Sequence, residues 1–267
     1  MTFLTIKNMH SAEESDPAIA ETVTFFRSLG AEIHEMEPAV YYCCFHMPFW
    51  NVNKVFVERA CAYETLVEKL AAFGHPYSWI IAEDAYDEVA QAFLSAQGFM
   101  QTATLTSMVC DVAKLQAVHA PDCLEYPLQA IEPMIDFLQD CFSFPAACAE
   151  QFLEKIQALK DTSLFYLFYG TYNEKIVSSG WLFVGGEQAG IFYIGTKKEA
   201  RNQGMAHAMV QTLLHRAKQL GVRRVVLTAL GSARKLYEKS GFCALKEYRT
   251  FGPTVLQHYS KTAFFAF

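Results

Sequence analysis

The chain has 267 residues, of which 52% are hydrophobic and 19% charged, and its formal net charge is −6. This balance predicts a packed core and excludes a disordered protein, and the acidic charge argues against a general nucleic-acid-binding protein. No run approaches the roughly 18 apolar residues of a membrane span. The N-terminal MTFLTIKNMHSAEESD is too polar for a secretory signal. We therefore expect a cytoplasmic protein of two domains, without a membrane or nucleic-acid partner.

The eight cysteines contain no CxxC pair, and several lie inside apolar runs. In a chain of this size they are typical of reduced, buried thiols. Cys43, Cys44 and His46 suggest a metal site or a nucleophile, but they lie in the apolar run YYCCFHMPF. Because the sequence shows no second ligand pair at a suitable spacing, we predict no metal.

The second half of the chain alternates strand and helix patterns. Apolar, β-favouring runs separated by polar or glycine-containing turns predict strands at 163–172, 174–184, 189–196, 223–229 and 242–251. Helices are predicted at 205–220, where apolar residues share one stripe, and at 232–240. A further strand and helix are predicted within 126–144. Three antiparallel strands followed by strand–helix–strand are typical of an α+β fold with a mixed sheet.

The first half repeats the end of this pattern more weakly. Strands are predicted at 51–59, 78–84 and 100–111, with helices at 61–74 and 87–99. Matching Gly98-Phe99 to Gly241-Phe242 aligns AFLSAQGF with KLYEKSGF and places Leu94 opposite Tyr237. We predict two similar domains, at 1–116 and 128–267, joined by a linker at 117–127.

The segment Arg201-Asn202-Gln203-Gly204-Met205-Ala206 connects a predicted central strand to an amphipathic helix. A helix N-terminus presents unpaired N–H groups, the glycine permits close approach, and Arg201 adds a positive charge. This combination suits a diphosphate, although a plain strand–helix loop would read the same way. Neither GxGxxG nor GxxxxGK[ST] occurs, so the main dinucleotide and P-loop signals are missing.

The same segment matches the [RQ]xxGx[GA] pattern of the GNAT acetyltransferase superfamily. The following RRVVLTALGSARKLYEKSGF is similar to that family's strand, helix and LYEKxGF segment, and the resemblance spans roughly 124–251. The whole chain resembles the tandem type, two GNAT-like domains each with a mixed, mostly antiparallel sheet flanked by helices. PYSWIIAED and LSAQGF resemble, more loosely, a degenerate N-terminal copy that does not bind acetyl-CoA.

The resemblance implies an acetyl-CoA site in the second domain. The pyrophosphate would lie against the backbone of residues 201–206, and the pantetheine arm would pair with Ile194 and Thr196. Family members often carry Asn where this chain has Leu230, and Ser232 is the alternative hydroxyl. The predicted binding residues are Ile194, Gly195, Thr196, Arg201, Asn202, Gln203, Gly204, Met205, Ala206 and Ser232.

The resemblance further implies direct attack of an amine on the thioester, with Tyr237 as the general acid. The alternative for Tyr237 is an aromatic residue packed into the core. A backbone N–H near Ile194 would stabilise the oxyanion. The general base is less defined: the position where some family members have glutamate is Gly190. Glu187 and Tyr193, acting through water, are the candidates, and a solvated turn charge and a core aromatic are their respective alternatives.

The implied function is an N-acetyltransferase with a small amine or amino-acid-like acceptor; a protein amino group remains a second option. Four aromatic residues are candidates for the acceptor pocket, each with a core role as the alternative: Phe49, Trp50, Trp181 and Phe183. A non-catalytic acyl-CoA-binding or sensing protein is the contrasting class. The apolar tail at 254–267 would pack onto a domain or a second subunit, which leaves a homodimer open.

Overall fold

A computed structural model describes residues 15–115, 123–159 and 161–254. The first half contains three helices and five strands: α1 (Pro17–Ser28), β1 (Glu32–Glu37), β2 (Val40–Cys44), β3 (Lys54–Val57), α2 (Tyr63–Ala71), β4 (Ser78–Ala82), α3 (Glu88–Ala96) and β5 (Phe99–Asp111). The strands and helices predicted from 51 to 111 are confirmed. The helix α1 and the strand β1 were not predicted.

The second half contains six strands and four helices: β6 (Cys123–Tyr126), α4 (Pro133–Asp140), α5 (Ala146–Gln157), β7 (Phe165–Tyr172), β8 (Lys175–Val184), β9 (Gln188–Thr196), α6 (Met205–Gln219), β10 (Arg224–Leu230), α7 (Arg234–Lys239) and β11 (Cys243–Pro253). The strands and helices predicted from 163 to 251 are present. Within 126–144 the predicted helix is present as α4, but the predicted strand is wrong, because β6 ends at Tyr126 and Leu128–Ala130 form a short 3₁₀ helix. Helix α5 was not predicted. Strand β6 occupies part of the predicted linker at 117–127, because it pairs with β7; residues 116–122 and the tail at 255–267 lie outside the described residues. No helix in the described ranges is long and apolar enough to cross a membrane.

Local chemistry explains where several helices begin and end. Helix α1 starts after Asp16, whose carboxylate accepts the Ala18 N–H at 2.8 Å, and α3 starts after Asp87, which accepts the Ala90 N–H at 2.8 Å. Gly98 and Gly241 follow α3 and α7 with φ of 74° and 96°. Glycine tolerates this left-handed conformation, so the chain reverses there into β5 and β11.

All 11 strands form one mixed sheet in the order β1-β2-β3-β4-β11-β5-β10-β9-β8-β7-β6. The α+β class and the mostly antiparallel mixed sheet are confirmed, with β3–β4 and β9–β10 as the parallel pairs. The expectation of a separate sheet in each half is wrong. Strand β5 lies between β10 and β11, and β11 lies between β4 and β5, so each half inserts its last strand into the other.

Two hydrophobic clusters cover opposite faces of the sheet in the second half. Trp181 and Phe192 belong to one cluster, whereas their neighbours Leu182 and Ile191 belong to the other. Because successive strand residues point to opposite faces, the first cluster lies under α1 and the second under α6. On the α1 face, Phe25 stacks on Phe192 with ring centroids 3.7 Å apart. The sheet that carries the site is therefore buried on both faces.

Candidate active site

Strand β9 contains a bulge at Tyr193, whose φ is +51°. Ser179 faces Gly195 and Trp181 faces Phe192, so Gly180 of β8 faces two residues of β9. A bulge of this kind leaves residues out of the ladder and bends the strand. The bend separates the end of β9 from β10.

The two parallel strands pair only at their beginnings, where Arg224–Val226 align with Gln188–Gly190. Beyond these positions Ile194 and Leu230 lie on opposite sides of an opening that forms a groove of about 960 Å³. A strand edge with unpaired N–H and C=O groups is a ready partner for an extended ligand. The groove thus has the polar edge that an amide-containing chain requires.

The loop before α6 forms one end of the groove. Gly204 caps the helix with φ of 82°, and a Cβ placed on it would meet nothing within 4 Å. The left-handed backbone, rather than crowding, therefore favours glycine at this position. Ala208 N–H donates to Gly204 C=O at 2.9 Å, so the N–H groups of Met205, Ala206 and His207 precede the first bond within the helix.

The groove is positively charged although the chain is acidic overall. Lys198, Arg201, Lys235 and Lys239 line it, against one carboxylate, Asp140. Arg201 is anchored to the end of β9, because its Nε donates to the Thr196 carbonyl at 3.0 Å. Clustered cations beside free helix N–H groups attract a polyanion.

The predicted cofactor-binding residues come together in this groove with one exception. Its lining includes Ile194, Gly195, Thr196, Arg201, Asn202, Gly204, Met205, Ala206 and Ser232. Gln203 is not part of the lining; its Nε2 donates to the Glu199 carbonyl at 3.2 Å. Leu230 also lines the groove.

A smaller cavity of about 90 Å³ adjoins the groove, and five residues line both spaces: Phe142, Ile194, Leu230, Ala233 and Tyr237. Tyr237 is 7% exposed and contacts Phe242 edge to face. Burial raises the pKa of its phenol above the usual value, so the group stays protonated. A proton donor therefore lies at the junction of groove and cavity.

The first half of the chain supplies the polar wall of the cavity, including Asn51, Lys54 and Ser78. Lys54 is 4% exposed, and its Nζ donates to Asn51 Oδ1 at 2.8 Å and to Ser78 Oγ at 3.4 Å. Burial lowers the pKa of Lys54 well below its usual range. The sequence analysis missed this residue, although a lysine inside the apolar run NVNKVFV is a visible signal.

The candidate bases are not supported by their positions. Glu187 lies in the turn before β9, with an 84% exposed side chain 4.0 Å from Arg223, and it lines neither space. At about 3.3 Å per residue, it is roughly 20 Å from the bulge. Tyr193 does line the cavity, but its ring lies 5.2 Å from Trp181 between centroids and burial raises the pKa of its phenol. A protonated, core-packed phenol is not a base.

Of the four aromatic residues considered for the acceptor pocket, Trp50 lines the cavity. Phe49, Trp181 and Phe183 are buried in the core cluster and line neither space. Their aromatic character predicted burial correctly, but only the fold shows which residues border a cavity.

Three side chains with possible metal-ligand atoms lie close together elsewhere in the first half. Three possible ligand atoms lie within 4.8 Å of one another: Sγ of Cys44, one imidazole nitrogen of His46 and one of His75. Oε2 of Glu32 is 3.2 Å from Nε2 of His46. Thiolate and imidazole are donors that Zn²⁺ accepts. The sequence analysis did not connect His75 to this group, because 29 residues separate it from His46. These residues line neither the groove nor the cavity.

Residues 131–242 match the model of the Acetyltransferase (GNAT) family. The match includes the bulged strand β9, the loop before α6 and Tyr237, and it covers less than half of the chain. This segment is therefore similar to the GNAT acetyltransferase family. The groove and its junction with the cavity lie largely within the matched segment, whereas Lys54 lies outside it.

Solved structures share the fold of nearly the whole chain. A GCN5-related N-acetyltransferase from Kribbella flavida aligns with a TM-score of 0.61 and 12% identity, covering 88% of this chain and 95% of its own. A functionally unknown conserved protein from Staphylococcus epidermidis aligns with a TM-score of 0.60 and 14% identity, and the alignment covers 84% of this chain and 94% of that protein. A tandem GNAT protein from the clavulanic acid biosynthesis pathway aligns with a TM-score of 0.55 and 10% identity, and the alignment covers 79% of this chain and 77% of that protein. Among curated proteins, none matches this sequence.

Proposed function

We propose that the protein is an N-acetyltransferase that transfers the acetyl group of acetyl-CoA to a small amine or amino-acid-like acceptor. The observation that carries the proposal is the junction of groove and cavity at Tyr237. One space suits a long polyanionic thioester and the other suits a small acceptor, and a protonated phenol borders both.

The groove supports a specific placement of acetyl-CoA. Its pyrophosphate would accept the free N–H groups at the start of α6, with Lys198 and Arg201 nearby. The amides of the pantetheine arm would pair with the open edge of β9 at Ile194 and Thr196. This path leads the thioester to the bulge, beside the cavity.

The transfer then needs one bond to form and one to break. The neutral acceptor amine attacks the thioester carbonyl, the C–N bond forms, and the C–S bond breaks as the electron pair leaves on sulfur. Tyr237 gives its proton to the departing thiolate, and the proton lost by the attacking nitrogen restores the Tyr237 phenol, so the products are the N-acetylated acceptor and the free CoA thiol. Burial that raises the pKa of Tyr237 also raises the pKa of a thiol beside it, which keeps the proton transfer feasible.

The first half fits the role of a degenerate copy. Its order β3-α2-β4-α3-β5 repeats β9-α6-β10-α7-β11, including the parallel pairing of the first two strands. Leu94 of α3 aligns with Tyr237, so the proton donor is missing from this copy. The first half instead contributes Trp50 and Lys54 to the cavity.

Thiol release with a panel of small amines and amino acids tests the proposal. Tyr237→Phe should lower kcat about 10²- to 10⁴-fold while acetyl-CoA affinity, measured by calorimetry, stays unchanged. Tyr166→Phe, beside Arg216 and away from both spaces, is the matched control. Binding of acetyl-CoA without CoA release for any acceptor would favour a non-catalytic sensing protein.

A further inference from the structure

The lining of the cavity restricts the acceptor, on the premise that the proposed transfer occurs. Among the described residues that line it, Lys54 is the only lysine, arginine, histidine, aspartate or glutamate. A second ammonium group on the acceptor would find no carboxylate in this lining to balance its charge. An acidic group on the acceptor would instead meet the one lining side chain that can take up a proton and carry the opposite charge.

The size of the cavity also favours a small acceptor. One water needs about 10–15 Å³ on this measure, so a cavity of about 90 Å³ holds on the order of six to nine non-hydrogen atoms. Glycine and alanine have five and six such atoms by their chemical formulae. A whole peptide or an oligosaccharide is much larger than this space.

Lys54 is held in place for such a contact. It lies on β3, an inner strand of the shared sheet paired with β2 and β4, and Asn51 Oδ1 and Ser78 Oγ fix the direction of its amine. Strand β3 is buried along its whole length. In such a low-dielectric site, a charge pair between an ammonium and a bound carboxylate is much stronger than in water.

We infer that the acceptor is a small amino acid whose carboxylate binds Nζ of Lys54, while its amine faces Tyr237 and the thioester. Lys54 is thus a specificity-determining binding residue contributed by the half without the proton donor. The acceptor's carboxylate also favours the charged form of Lys54, which burial disfavours in the free protein. Occupancy of the cavity and protonation of Lys54 are then coupled.

Matched acceptors test this inference. Thiol release is measured for glycine and alanine against glycinamide and alaninamide, which keep the amine and the size but lack the carboxylate. Lys54→Met, which keeps the apolar stem, should raise KM for the two acids 10- to 100-fold with little change in kcat, and leave the amides unaffected. Equal use of acids and amides by the unaltered protein, or an equal fall in kcat for both with Lys54→Met, would overturn it.

A second variant protects the test against a folding defect. Asn51→Asp would place a resident carboxylate beside Lys54 Nζ, which lies 2.8 Å from the present Asn51 oxygen. It should compete with the acceptor and raise KM for the acids in the same way. Acetyl-CoA affinity and the melting temperature are measured for both variants, and both should remain close to those of the unaltered protein.

Direct binding separates this inference from the proposed function. Calorimetry with N-acetylglycine and N-acetylglycinamide, in the presence of CoA, needs no turnover. If N-acetylglycine binds, N-acetylglycinamide does not, and Lys54→Met abolishes the binding, the carboxylate contact is supported. This result would stand even if no acceptor releases CoA, and in that case only the proposed function would fail. Equal binding of acid and amide contradicts the contact whether or not transfer occurs.

Discussion

Gly180 lies directly against Ile194: a Cβ at Gly180 would be 2.8 Å from Cδ1 of Ile194 and 2.7 Å from Cγ of Met209. These two side chains connect the bulge of β9 to the helix α6 whose start borders the groove. Gly180→Ala should therefore push the bulge and α6 apart. We expect a loss of about 1–3 kcal/mol in unfolding free energy and weaker acetyl-CoA binding, measured by urea unfolding and calorimetry.

The control for this change is Gly231→Ala, because a Cβ at Gly231 would meet nothing within 4 Å. It should leave both quantities nearly unchanged. If Gly180→Ala bound acetyl-CoA as tightly as the unaltered protein, the link between the bulge and the groove would be wrong.

Gly204 and Gly221 flank α6 with φ of 82° and 74°, and a Cβ at either would enter open space. Alanine at either position should cost about 1 kcal/mol of stability through backbone strain alone. Only Gly204→Ala should also weaken acetyl-CoA binding, because only this end of the helix lies in the groove. The comparison is made by thermal unfolding and calorimetry, and equal effects on affinity would place the pyrophosphate elsewhere.

Glu21 makes stability depend on pH. Burial raises the pKa of its carboxyl to about 7 in the folded protein, although Gln188 Nε2 is 3.3 Å away. A raised carboxyl pKa means that the folded state holds the proton more tightly, so its contribution is favourable at low pH. That contribution is lost as pH rises from about 4.5 to about 7, by about 3 kcal/mol in total.

Glu21→Gln should therefore increase the unfolding free energy by up to about 3 kcal/mol at pH 8 and change it little at pH 4. Urea unfolding at both pH values measures the difference. Glu187→Gln is the control, since that side chain is 84% exposed. The same gain at both pH values would show that the carboxyl of Glu21 does not titrate in this interval.

The exchanged strands predict that neither half folds alone. A fragment of residues 123–267 lacks β5, so β10 and β11 lose their shared neighbour, and a fragment of residues 1–115 lacks β11 between β4 and β5. Each fragment should be unfolded or aggregated by circular dichroism and light scattering. Co-expression of the two should restore a soluble complex, and a folded, monomeric 123–267 fragment would contradict this expectation.

Local patterns in the sequence predicted most elements of the second half, because alternation in β7–β9 and the stripe of α6 are properties of consecutive residues. They did not predict which strands pair: β5 and β11 read as ordinary amphipathic strands, and nothing local states that each lies in the other half. Helix α1 and the acidic strand β1 were likewise not predicted; the apolar residues of α1 are buried against strands that are distant in the sequence, and β1 pairs with β2. The loop at Gly204 could be predicted because the residues that suit an anion follow one another in the sequence.

The residues of the site differ in the same way: those close together in the sequence could be predicted, and those brought together by strand pairing could not. The loop from Arg201 to Ala206 could be predicted to line the groove because its residues are neighbours in the chain and match one motif. Lys54 could not, since it reaches the cavity only through the pairing of β3 with β4 and of β4 with β11. Glu187 is close to β9 in the sequence, but it lies at the end of the strand away from the bulge and lines neither the groove nor the cavity.

Strand β5 is hydrogen-bonded on both edges by strands of the other half, and so is β11. A hinge that opens and closes two lobes over a substrate would have to break these ladders, so that route to a dry reaction centre is closed to this protein. In the proposed transfer, a carrier that fills the groove would itself cover the wall shared with the cavity and exclude water there, without a hinge motion.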